Sequence, residues 1–304
     1  MAFAEDVNGA ERHHVSDSSE SSPYKYCIPP NEQERARLDL QSEMINLTFE
    51  NKLIWAPITL EKGAIVVDSG TGSGKKGLAT WLFKSLAKEV PSTVTLRGID
   101  ISPRMFPLPE TIPDNTSFIS RSITSLPEDW TNTVTLIHQR LLMAALQADQ
   151  WKTAISEMYR VLEPGGWVQL FEPKDWFVTP CEAITHHKIR RTRDKLIADL
   201  RHVTVNVIEY LQNWLKEAGF VNLTAQKREM PTGSWAGERG TLSMNATLGA
   251  FEAMKPLVIK EGGFGIVSTE EEYDAVLADL RRLCDDTPDT YFQYWVFTAQ
   301  KPLP

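Results

Sequence analysis

The chain has 304 residues, 42% hydrophobic and 24% charged, with a formal net charge of −8. That length allows one large domain or two small ones, and the acidic balance argues against a dedicated nucleic-acid binder, which needs a basic face for phosphates. Three widely spaced cysteines (Cys27, Cys181, Cys284) without a CxxC argue against a disulfide framework or a structural zinc site. With no apolar run near the roughly 20 residues of a membrane helix and no signal-peptide pattern, the expectation is a cytoplasmic protein without membrane, nucleic-acid or metal partners.

Residues 1–22 are polar and end in a serine-rich run, so they read as a disordered tail. His13 and His14 within it are read as inert rather than as a metal site. From Pro29 the chain reads helical, with Asn31 as N-cap and Leu38, Leu40, Met44 and Ile45 at helical spacing. Strands are predicted at 64–67, 94–100, 116–119, 133–138 and 167–172, and helices at 75–89 and 150–162, the second ended by Pro164-Gly165-Gly166. Further helices are expected at 183–200 and 204–218, the latter stopped by Gly219, and two late strands at 221–230 and 291–300. Strands alternating with helices imply an α/β, doubly wound, mostly parallel seven-stranded sheet covered on both faces. Because the sheet needs strands from both ends of the folded part, residues 23–304 form one domain, with 233–290 as a lid insertion.

Asp68-Ser69-Gly70-Thr71-Gly72-Ser73-Gly74 follows the first strand and precedes a helix. Glycines there permit a tight turn and close approach of backbone to ligand, and the helix start offers unpaired N–H groups. Gly72, Gly74 and Gly77 fit the dinucleotide pattern GxGxxG; a P-loop is excluded, because position 69 is Ser where glycine is needed. A loop for S-adenosylmethionine, acidic-x-Gly-x-Gly-x-Gly, fits equally, and a plain strand–helix turn is the bland alternative. Asp100, ending the second strand, is placed to accept from a ribose diol with either cofactor, or else serves as a turn residue. Leu162-Glu163-Pro164-Gly165-Gly166-Trp167 discriminates, having no role in nicotinamide binding and being a common marker of class I methyltransferases.

On these residues the chain resembles the class I S-adenosylmethionine-dependent methyltransferases, and within them the fungal LaeA-like group. Tyr26 through Leu38 is similar to that group's Tyr-x-Leu-Pro-x-Asp-x-x-Glu-x-x-Arg-Leu. Gly98-Ile99-Asp100-Ile101-Ser102-Pro103 is similar to Gly-Ile-Asp-Leu-Ser-Pro, and Ile137-His138-Gln139-Arg140 to Ile-His-x-Arg. Met230-Pro231-Thr232-Gly233-Ser234-Trp235 resembles a late Pro-x-Gly-x-Trp, and the terminal Lys301-Pro302 also fits. Two departures stand out. Lys75 and Lys76 follow the glycines where the family often has Ile-Trp. Ser122, beside Ile123, stands where an acidic residue usually meets the adenine amino group.

The resemblance implies S-adenosylmethionine as cofactor, held by Tyr26, Asp68, Gly70, Thr71, Gly72, Gly74, Asp100, Ile101, Ser122, Ile123 and His138. Ligands of open α/β sheets sit beyond the carboxyl ends of the strands, so residues just past strands four and five are the candidates for chemistry. His138 is read as a general base or as packing against the cofactor; Glu172 as contacting substrate or buttressing its loop. Arg140, Trp176 and Trp235 are candidates for the substrate pocket, with a structural salt bridge and plain packing as the alternatives. His186-His187 precede Lys188, Arg190, Arg191, Arg193 and Lys195, which read as a solvated helix face. Gly262-Gly263-Phe264-Gly265 reads as a tight loop rather than a hinge. The expected function is methyl transfer to a small molecule in fungal secondary metabolism. A regulator acting in protein complexes and a cofactor-retaining pericyclase are the rivals, and a homodimer is left open.

Overall fold

The computed structural model describes residues 32–72, 86–103, 106–107, 112–174, 177–196 and 206–304. The tail, Tyr26, Gly74, Lys75, Lys76, Trp176 and most of the predicted helix 75–89 lie outside them. The elements in order are α1 (Glu32–Thr48), β1 (Ile65–Ser69), the short α2 (Ala87–Glu89), β2 (Thr95–Asp100), β3 (Thr116–Ser120) and β4 (Val134–Arg140). They are followed by α3 (Ala148–Val161), β5 (Leu162–Pro173), α4 (Glu182–Thr185), α5 (Lys188–Lys195), α6 (Ile208–Glu217) and β6 (Val221–Pro231), then α7 (Gly237–Lys260), α8 (Glu270–Asp285) and β7 (Tyr291–Gln300).

The seven strands form one sheet in the order β3-β2-β1-β4-β5-β7-β6. β1 to β5 run parallel, and β7 lies antiparallel between β5 and β6. The central strands β1 and β4 are buried on both faces apart from their end residues Ile65 and Arg140, as expected of parallel strands covered by helices. The strand order reverses at β1, which has β2 on one side and β4 on the other. The crevice outside the carboxyl ends of β1 and β4 is therefore the topological switch point, where ligands of such sheets bind.

One face is covered by α3 and α6. α3 buries Trp151, Ala154, Ile155, Met158 and Val161, spaced three or four apart, and Gln147 with Gln150 forms a capping box at its start. The other face carries α1, α4, α5, α7 and α8 over the β5–β7–β6 half. The segment 233–290 is thus a helical layer that shares a core with α1, through Met44, Ile45, Met244, Phe251 and Tyr273 among others. Among the described residues, no helix is long and apolar enough to cross a membrane.

Two predicted elements change. β5 begins at Leu162 rather than at Trp167, and the Pro-Gly-Gly segment is a bulge in it, pairing Val134 with Leu162 and then Leu136 with Trp167. A Cβ on Gly166 would lie 2.9 Å from the Glu163 carbonyl oxygen, which explains the glycine. The helix predicted at 183–200 is broken at His186–His187, because His187 is extended and its Nδ1 accepts from Ile189 N–H to cap α5. α5 is also only partly a solvated face: Arg193 is buried, while Lys188, Arg191 and Lys195 are exposed. Residues Gly262–Gly265 form a tight loop, with positive φ at all four positions.

Candidate active site

The turn after β1 is built on Gly70 and Gly72, at φ +67° and +63°, a backbone that L-residues with side chains rarely adopt. Its geometry is held from both sides. Thr71 donates from Oγ1 to Asp68 at 2.8 Å, and Gly72 N–H donates to Asp100 at 3.0 Å. The other Asp100 oxygen accepts from Ser102 N–H at 2.9 Å. Among the described residues, a Cβ on Gly72 would have one neighbour within 4 Å, the Gly70 carbonyl oxygen at 3.9 Å. Burial raises the Asp68 carboxyl to about 7, against the pull of the Arg140 guanidinium and the Thr71 hydroxyl. Burial also raises Asp100, opposed by its backbone donors.

Beyond β2 the exposed Ile101 follows Asp100, and Arg121 N–H donates to the Asp100 carbonyl at 2.9 Å, drawing the loop after β3 to the same place. In that loop Ser122 Oγ shares a hydrogen bond with Thr124 Oγ1 at 2.7 Å, and Ile123 is buried in the core.

Across the sheet, strand register sets Asp68 beside His138, and His138 beside Gln169. His138 is buried, with its ring 4.9 Å from Phe171 and its Nδ1 3.0 Å from Gln169 Nε2. Burial, and the neighbouring Arg140 guanidinium, hold the imidazole well below its ordinary pKa, so it is neutral at pH 7. Arg140 donates to Ser42 Oγ of α1 at 3.1 Å. His138, Arg140 and Phe171 line a narrow crevice with Ile45, Asn46, Phe49 and Lys52, contributed by α1 and the turn after it.

Glu172 is fully buried at the end of β5. Its two oxygens accept from Leu142 N–H at 2.9 Å and Met143 N–H at 3.0 Å. Burial raises its carboxyl to about 8, opposed by those two donors. Of its two readings, the structure shows the buttress: Glu172 anchors the loop after β4. Trp235 is half-buried at the β6 edge, packed edge-on against Tyr291 at 5.8 Å, and it does not line the crevice with His138 and Arg140. The structure therefore brings together Asp68, Gly70, Thr71, Gly72, Asp100, Ile101, His138 and Arg140, and leaves Trp235 apart. Sequence reasoning passed over Gln169, Phe49 and Lys52. A glutamine in the middle of Trp167-Val168-Gln169-Leu170-Phe171 was the one available signal, since amides are rarely fully buried without a task.

A profile of the methyltransferase domain family matches residues 66–166. The N-methyltransferase sirN of Leptosphaeria maculans is 33% identical over 217 residues, covering 70% of this chain and 72% of that one. The N-methyltransferase tcpN of Claviceps purpurea is 27% identical over 279 residues, covering 89% and 95%. The secondary metabolism regulator laeA of Fusarium oxysporum f. sp. lycopersici is 26% identical over 300 residues, covering 93% and 89%. The chain belongs to the class I S-adenosylmethionine-dependent methyltransferases, in their fungal LaeA-like group. Its cofactor is S-adenosylmethionine, and its activity is methyl transfer to a small-molecule acceptor of fungal secondary metabolism.

Proposed function

We propose that the acceptor atom is a nitrogen and that the acceptor lies in the crevice between α1 and the carboxyl ends of β4 and β5. The observation that carries this is the occupied state of the buried acid–base groups. Both Glu172 oxygens are taken by loop amides, and His138 Nδ1 is taken by Gln169. A phenol or alcohol needs a base to release its proton before attack, whereas a neutral nitrogen attacks with its own lone pair. The relatives sirN and tcpN, both named N-methyltransferases, support the same acceptor.

The residues fit the cofactor. The positive φ of Gly70 and Gly72 shapes the turn that approaches the cofactor, with Leu142 packed against Gly70, and Asp100 at the end of β2 is the ribose partner in this reading. Ile101 offers an apolar surface to the adenine, with Ser122 and Ile123 on the loop after β3; Tyr26 and Gly74 lie outside the described residues. When bound, S-adenosylmethionine supplies a methyl group already activated by a sulfonium. The chain then aligns the nitrogen with it and keeps water out, the aromatic walls of Phe49 and Phe171 and the buried His138 serving both ends. The displaced proton leaves the methylated nitrogen for solvent.

The test is incubation with S-adenosylmethionine and a panel of amine-bearing metabolites, followed by mass spectrometry and fragmentation. A gain of one methyl on nitrogen is expected. Methylation on oxygen or carbon alone would overturn the nitrogen assignment.

A further inference from the structure

The crevice between α1 and the carboxyl ends of β4 and β5 gathers donors that the described residues leave short of acceptors. Arg140 presents a planar fork of N–H groups and keeps its charge in a protein. Among the described residues it makes one hydrogen bond, to Ser42 Oγ at 3.1 Å, and no ion pair. Asp68 attracts the guanidinium without pairing with it, and burial holds that carboxyl up at about 7, so near neutrality it offsets the charge only in part. Glu172 gives both oxygens to the amides of Leu142 and Met143. The half-buried Asn46 lines the same crevice from α1, and its side chain makes no hydrogen bond among the described residues. Lys52 is exposed at the crevice and forms no ion pair among them; its ammonium lies 4.6 Å over the Trp55 ring.

These groups are held in place from three sides. Arg140 closes β4, and Asn46 stands near the end of α1. Lys52 belongs to a turn that the buried Gln169 ties to β5: Trp55 N–H donates to Gln169 Oε1 at 2.9 Å, and Gln169 Nε2 donates to the Leu53 carbonyl at 2.9 Å. Phe49 and Phe171, edge to face at 4.9 Å, add an apolar wall. A cation kept in such surroundings without a counter-ion is costly, and an anionic ligand removes that cost. The guanidinium fork matches the two oxygens of a carboxylate, and a narrow crevice suits that planar head group. We propose that Arg140, with Asn46 and Lys52, forms a carboxylate-binding subsite of the acceptor pocket, and that the acceptor is an amine that also carries a carboxylate.

The proposal rests on the crevice being the acceptor site, but its first test involves neither methyl transfer nor a variant. Calorimetry on the full-length protein saturated with S-adenosylhomocysteine compares phenylacetate with phenylacetamide, which share a ring and differ in charge. Phenylacetate is expected to bind at least about tenfold more tightly. Equal affinity, or no binding of phenylacetate, overturns the subsite. Phenylacetate that binds the cofactor-free protein but not the S-adenosylhomocysteine complex overturns it as well, because the carboxylate site then belongs to the methionine end of the cofactor. Arg140→Met in the same saturated complex is expected to erase the preference for the acid, and a preference that survives removes Arg140 from the subsite. In turnover, an amine acceptor is expected to show a KM at least about tenfold lower as the free acid than as its methyl ester. An ester used equally well overturns the acceptor's carboxylate. Transfer to oxygen or carbon alone overturns the nitrogen assignment, and the calorimetric comparison still decides the subsite.

Discussion

Asp68 carries the most consequential single charge in the site. Its carboxyl is raised to about 7 by burial, with Arg140 and Thr71 pulling the other way. In the unfolded chain it ionises near its ordinary value of 3.8, so between these values the folded chain holds more protons than the unfolded one. Stability therefore falls as pH rises through that window, and Glu172, raised to about 8, extends the fall upward. Thermal unfolding of the cofactor-free protein is expected to give a lower Tm at about pH 8 than at about pH 5. A rising Tm over that range would contradict the burial argument. A cofactor of net positive charge beside the glycine turn favours ionised Asp68. Binding near neutrality should then release protons and tighten with pH, which calorimetry in buffers of different ionisation enthalpy measures directly. Asp68→Asn should abolish that proton release. Two neighbours give sharper losses. Gly72→Val forces a β-branched residue into φ +63°, and Asp100→Ala leaves Gly72 and Ser102 N–H without their acceptor. Each is expected to weaken S-adenosylmethionine binding by about 100-fold or more, or about 3 kcal/mol. Preserved affinity in both variants would remove the glycine turn from the cofactor site.

Asp68 and Asp100 were legible because an acidic residue closing a buried strand before glycines or a turn has few bland explanations. Gln169 was not. Its partners are backbone groups more than a hundred positions away, and no local pattern encodes them. The elements show the same division. Most of the seven strands were legible as short apolar runs bounded by glycine, proline or polar turns, though β6 is largely polar, and α3 was legible as a helical stripe, since period and punctuation are local properties. The break at His186–His187 was hidden because a histidine fills the capping role usually given to serine, asparagine or aspartate, which a residue pattern does not flag. The crevice-lining role of α1 was hidden as well, because where a helix end docks is a tertiary matter. The loop after β4 depends on one buried side chain. Leu141 sits at φ +59°, and Leu142 and Met143 direct their N–H groups to Glu172. Glu172→Ala leaves two amides without a partner and is expected to cost about 2–4 kcal/mol of stability by denaturant titration. Proteolytic cleavage within 141–145 should appear before global unfolding. Glu172→Gln, which retains an oxygen for one of the amides, should be milder on both counts, and equal damage from the two would mean that charge rather than hydrogen bonding holds the loop.

At the scale of the whole molecule, the last strand joins the two halves of the sheet. β7 enters between β5 and β6, and the chain that leaves it returns across the start of β5. There Lys301 gives its three ammonium hydrogens to Asn132 Oδ1 at 2.6 Å and to the carbonyls of Tyr159 and Leu162 at 2.8 Å each. Those carbonyls lie at the end of α3, where the helix dipole favours a cation and the last carbonyls lack helical partners. The ammonium also lies 4.9 Å over the Tyr159 ring. One residue thus ties the end of the chain to α3, to the turn before β4 and to the Pro-Gly-Gly bulge. Lys301→Met keeps the apolar stem and removes all three donors, at an expected cost of about 2–3 kcal/mol. Arginine, with its planar fork in place of a compact tripod of hydrogens, should recover only part of that. Because the residue lies at the amino end of β5, opposite the site, cofactor affinity should not change. Calorimetric unfolding of wild type and variant should each show a single transition, the variant's shifted down as a whole. Two transitions with only one displaced would mean that the strands from the end of the chain, and the helical layer between them, form a separate cooperative unit.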